Sequence, residues 1–195
     1  MNRTLIAVLS LSLLGGPLLW LLFTKEGQRR TDLMLLPLFG RPSVTLSLAE
    51  LSSRLGEADI RAKLPDVELA CTDEVTPYGD RTCTARIGDF VRLPAESLTF
   101  FFAGGELRVV KLSYRRDVHA EVAAYLTQRF GEGDTTRRGT DGAPALVTNW
   151  QLMDGLVLLR AGDLGPRDEA ALLWLSQAAV TERVRAARAG RPTDL

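Results

Sequence analysis

Three kinds of hydrophobic pattern run along this chain. The first is a continuous apolar run, Thr4 to Thr24, that carries no charge. About 20 apolar residues at 1.5 Å rise each cross a bilayer once, so the run predicts a membrane-spanning helix. The second is helical spacing. Leu48, Leu51 and Leu55 predict a helix over 48–55 that Gly56 stops, and Val122, Leu126 and Phe130 predict another that Gly131 stops. Thr181 to Ala189 reads as a third. The remaining pattern is strand alternation. Leu98–Phe102 and Leu107–Tyr114 flank Gly104-Gly105, a strong hairpin signal. Leu98, Phe100 and Phe102 share one strand face, and Val110, Leu112 and Tyr114 share one on the partner. Leu146–Leu152 and Leu156–Arg160 flank a turn at Asp154-Gly155, with Trp150 and Leu152 facing inward. Val44–Ser47 reads as a short strand and Ala170–Ser176 as a last one.

Strands joined by tight turns are antiparallel, and helices that fall between groups of such strands predict an α+β class. The expected architecture is one N-terminal transmembrane helix, then an antiparallel sheet of about five to seven strands with two or three helices packed on one face. The expected boundaries are a signal anchor over 1–24, a linker over 25–42, an α+β domain over 43–190 and a disordered tail over 191–195. Within the linker, Leu33–Phe39 is apolar but broken by Pro37 and reads as the first edge of the core. Leu51–Asp59 and Leu126–Asp134 match at Leu, Arg, Gly, Glu and Asp. They are either two copies of one helix-then-strands unit or two instances of a common helix stop.

The apolar leader has no small-residue cleavage site and ends in Leu-Trp-Leu-Leu-Phe, which favours an uncleaved signal anchor over a removed signal peptide. Two features disagree on its orientation. Lys25, Arg29 and Arg30 follow the span and outnumber Arg3, which by the positive-inside rule places the domain in the cytoplasm. Cys71 and Cys83, the only two cysteines, bracket a polar segment with a turn at Pro77–Asp80. Strands on either side would set the sulfurs opposite each other, and a disulfide persists in an oxidising compartment. The expectation is therefore a Cys71–Cys83 disulfide and a domain outside the cytoplasm, held at the inner (plasma) membrane.

Formal charge is balanced at 24 basic and 24 acidic residues, which argues against a nucleic-acid partner. One histidine and two cysteines are too few for a Cys/His zinc site, and no spacing of acidic residues makes an EF-hand, so neither metal nor cofactor is expected. His119, the sole histidine, is the first general base to consider. No serine or cysteine stands in a recognisable nucleophile setting beside it, so no catalytic residue is assigned. Gly131–Pro144, with Arg137 and Arg138, is the longest polar segment and reads as a loop. Arg183, Arg185 and Arg188 give the last helix a basic face for contact with anionic headgroups.

These features imply a membrane-anchored envelope protein that is not an enzyme. It would contact the membrane through residues 4–24 and another envelope or membrane protein through its domain, as a protein-interaction or accessory-subunit module. The alternative is a small-ligand or lipid-binding domain with a cavity lined by Phe100, Phe102, Tyr114 and Trp150.

Overall fold

A computed structural model describes residues 41–138 and 145–188. The expected anchor, most of the linker and the tail lie outside the described residues. No helix among them is long and apolar enough to cross a membrane.

The described chain builds a mixed ten-stranded sheet with three α-helices, an α+β arrangement. The strands are β1 (Ser43–Val44), β2 (Ala70–Thr76), β3 (Gly79–Arg86), β4 (Asp89–Phe90), β5 (Leu93–Ala103), β6 (Glu106–Tyr114), β7 (Asp134–Arg138), β8 (Ala145–Leu152), β9 (Gly155–Arg160) and β10 (Ala171–Ser176). The helices are α1 (Glu57–Lys63), α2 (His119–Phe130) and α3 (Gln177–Arg188). The main path runs β1-β4-β5-β6-β10-β9-β8-β7, and the β2–β3 hairpin joins through β3 to β5. Among the described strands only β1 and β4 pair in parallel, which makes the sheet mixed and corrects the expectation of a purely antiparallel one. The β5–β6 hairpin forms where Gly-Gly predicts it: Gly104 (φ 59°) and Gly105 (φ 82°) supply the positive φ that such a turn requires.

Strand alternation sends side chains to opposite faces, and both faces are covered. On one face Leu98, Phe100, Phe102, Val110, Leu112, Tyr114, Trp150, Val157, Leu159, Leu172 and Trp174 form the main core with Ile60 of α1 and Val122 and Leu126 of α2. All six residues expected to face inward from the central hairpin belong to it. Val109, Leu156, Leu158 and Leu175 make a second cluster with Ala179 of α3. The helices are thus split, with α1 and α2 on one face and α3 on the other, which corrects the expectation of a single helical face.

The segment 48–63 departs most from the sequence reading. Leu48 and Leu51 are buried, as their spacing requires, but only Leu48–Glu50 makes a 3-10 turn, and Leu51 is extended. Gly56 starts a helix instead of stopping one. Its φ is −93°, and its N–H donates to the Asp59 carboxylate at 2.8 Å, half of a capping box at the head of α1. Gly131 does end α2, at φ 83°. Leu51–Asp59 is therefore a turn and a helix start, Leu126–Asp134 a helix end and a strand start. The two matching segments are not copies of one structural unit. Asp134–Arg138, read as loop, is the edge strand β7 and pairs with β8.

Candidate functional site

Cys71 and Cys83 are directly opposed across the β2–β3 register and form a disulfide with Cα atoms 4.0 Å apart. Cys83 is fully buried, and Cys71 is half-buried beneath α1. A chain of charges covers the bond. Glu57, at the first turn of α1, accepts from Arg81 Nε at 2.6 Å and from Arg61 Nε at 2.9 Å. Arg81 also donates to Asp73, its partner across the hairpin, at 2.6 Å. Arg61 Nη2 lies 3.2 Å from Cys71 Sγ. Hydrogen bonds from Arg81, then from Arg61, hold the Glu57 carboxyl below its ordinary range, and the same contact raises Arg81. Glu57, Cys71 and Cys83 offer ligand atoms within 4.8 Å of one another. With both sulfurs joined and Glu57 held by two guanidiniums, the trio presents no thiolate to a cation.

His119 begins α2 and is buried. Its Nε2 lies 3.0 Å from the Gly162 carbonyl, which can only accept, so Nε2 carries the proton. In the neutral ring Nδ1 is then the acceptor, and it takes the Tyr114 hydroxyl at 2.7 Å. Burial raises the Tyr114 hydroxyl above its ordinary value, which makes it a poor nucleophile near neutrality. The histidine thus ties strand β6, helix α2 and the loop after β9 together. Arg116 extends the tie by donating to the Gly165 carbonyl at 2.6 Å.

On the opposite face, the α3 stripe of Ala179, Val180 and Arg183 meets the sheet. Arg183 places its guanidinium 5.1 Å from the centre of the Tyr78 ring and is half-buried. Arg185 is exposed, and the side chain of Arg188 lies outside the described ones. Of the three arginines expected on one basic face, Arg183 is therefore turned inward onto Tyr78. The stripe Gln177, Ala178, Thr181, Glu182 and Arg185 borders a groove of about 500 Å³ whose sheet-side wall is Arg108. Arg108 sits at a bulge in β6, where the register with β5 shifts between Phe101–Val109 and Phe102–Leu107. Alternation alone aims it at the main core; the extra residue re-aims it toward α3. No sequence signal marks such a bulge, so Arg108 is the functional candidate that sequence reading misses.

Register places the β2–β3, β5–β6 and β8–β9 turns at one end of the sheet. That end displays Val75, 89% exposed, and Met153, 96% exposed, and α3 starts there, its Gln177 N–H donating to the Asp154 carbonyl; exposed Leu146 lies at the other end of β8. Phe100, Phe102, Tyr114 and Trp150, the expected cavity lining, are all packed into the main core. Comparison with protein-family models, with curated proteins and with solved structures finds no match to this chain.

Proposed function

We propose that this chain is a single-pass, membrane-anchored envelope protein whose domain is a non-enzymatic docking module for another envelope or membrane protein. The observation that carries the reading is the display of Val75 and Met153 at one end of the sheet, beside α3. Apolar side chains left in water at hairpin tips contribute nothing to folding, and their burial by a partner is favourable. The commitment of His119 to Tyr114 and Gly162 supports a role without catalysis. The Cys71–Cys83 disulfide supports an extracytoplasmic domain, and the uncharged run from Thr4 to Thr24 supports the anchor. Packing of the four aromatic residues within the core favours docking over a cavity for an acyl chain.

A photoreactive amino acid placed at Val75 or Met153 of the full chain, in native membranes, tests the reading. Discrete adducts at those positions, and none from Arg86 at the far end of β3, are expected. Equal, diffuse labelling from all three positions would sink it. Protease accessibility in spheroplasts, with and without reductant, reports the side of the membrane independently.

A further inference from the structure

From the groove between β6 and α3 we infer a second site, for the phosphate group of an anionic ligand. It goes beyond the docking reading and stands apart from it. Arg108 has 23% of its side chain exposed, and its Nε is buried without an acceptor among the described residues. Its two ion pairs are long, 3.8 Å to Glu106 and 4.0 Å to Glu182, and both carboxylates are well exposed. Such pairs are easily exchanged. A cation turned inward by a bulge and left with weak partners is poised for a stronger one. Arg185 lines the same groove, is exposed, and makes no ion pair within the described residues. The Gln177 amide adds neutral donors two turns away on the same helix stripe. Thr181 contributes an acceptor only, because its hydroxyl already donates to the Gln177 carbonyl at 2.8 Å.

The donors converge from the sheet on one side and along the helix on the other. That spread suits a tetrahedral oxyanion with oxygens on every side better than a planar carboxylate, and guanidinium forks match phosphate oxygens. The phosphate can belong to a soluble ester or to a lipid headgroup.

The test uses the full chain in micelles of an uncharged detergent and reads the thermal unfolding midpoint. One arm titrates inorganic phosphate against chloride at matched ionic strength. The other replaces part of the detergent with phosphatidylglycerol or, as control, phosphatidylcholine. A midpoint that rises with phosphate indicates a soluble ester; one that rises with phosphatidylglycerol alone indicates a headgroup. Either supports the site, provided that Arg185→Gln weakens the half-maximal concentration about tenfold and Glu182→Gln tightens it severalfold, as expected for charge-assisted contacts. Both side chains are largely exposed, so both variants fold even if Arg108→Met does not. No rise in either arm, or a rise that both variants leave unchanged, overturns the proposal.

Discussion

The Tyr114 hydroxyl donates to His119 Nδ1 across 2.7 Å inside the fold, and the opposite nitrogen of the same ring holds the Gly162 carbonyl. A residue type that elsewhere moves protons here acts as a rivet between a strand, a helix and a loop. The pair shows why a lone histidine is weak evidence of catalysis: its two nitrogens are spent on internal partners, one of them backbone.

Tyr114→Phe keeps the ring in the core and leaves Nδ1 buried without a donor. It is expected to cost about 1–3 kcal/mol, the penalty of a buried unsatisfied polar atom. His119→Ala also releases Gly162, so amide exchange across 161–169 rises. Urea unfolding gives the first effect as a lower midpoint at unchanged slope, and hydrogen exchange reads the second. A loop equally protected in His119→Ala would refute the rivet.

The disulfide closes a short loop, with a sequence separation of 12. Loop-closure entropy for such a length amounts to about 2–3 kcal/mol. The double substitution Cys71→Ala/Cys83→Ala is expected to lose roughly that much. The loss should concentrate on β2, which among the described strands pairs only with β3, whereas β3 remains held by β5. Exchange that accelerates more in 70–76 than in 98–102 is the signature.

The parts of the fold legible in the sequence are those whose side chains and turns agree. Gly104-Gly105 between two alternating runs marks the central hairpin, and a turn midway between the cysteines marks their pairing. Elsewhere the signal was ambiguous or silent. Leu48, Leu51 and Leu55 have helical spacing, but an extended Leu51 buries the apolar positions as well as a helix would. Gly56 can stop a helix or begin one, and Asp59 three residues on decides. Asp134–Arg138 reads as polar loop because an edge strand, with the side chains of residues 134–137 exposed, draws its order from backbone pairing with β8. A sign of α3 on the second face was nonetheless present. Leu156–Leu159 and Leu172–Leu175 are unbroken apolar runs, the mark of strands covered on both faces. For the candidate sites, the disulfide was legible and Arg108 was not, since only the bulge turns it.

Glu57 makes part of the fold's stability depend on pH. Arg81 and Arg61 hold its carboxyl below the ordinary value of 4.5. The folded chain therefore keeps Glu57 ionised at pH values where the unfolded chain protonates it. Its contribution is complete above about pH 4.5 and is lost as pH falls through the lower folded value. The Glu57 side chain is 27% exposed and Asp73 is largely exposed, so screening limits the contribution. Glu57→Gln is expected to cost about 1 kcal/mol or less near neutral pH. The gap between the two proteins should narrow steadily below about pH 4.5. A gap that stays constant down to acid unfolding would show that packing, not charge, carries the effect.

The turn from β4 to β5 stores strain that one substitution can release. Val91 (φ 50°) and Arg92 (φ 68°) both occupy the left-handed region that favours glycine and asparagine. Asp89 holds them there: its buried carboxylate accepts the Arg92 N–H at 3.0 Å and the Ser43 hydroxyl at 2.8 Å, and the Val91 N–H donates to the Val44 carbonyl. Each L-residue in this conformation costs about 1–2 kcal/mol. Arg92 is exposed, so Arg92→Gly removes that cost without touching the core, offset by about 0.4–1 kcal/mol of added freedom in the unfolded chain. A net gain of about 0.5 kcal/mol is expected. Val91 packs against the main core, so Val91→Asn relieves strain but forfeits apolar contact and should be close to neutral. Thermal unfolding of the two variants gives the order directly. If Arg92→Gly melts below the parent chain, the left-handed turn is not under strain.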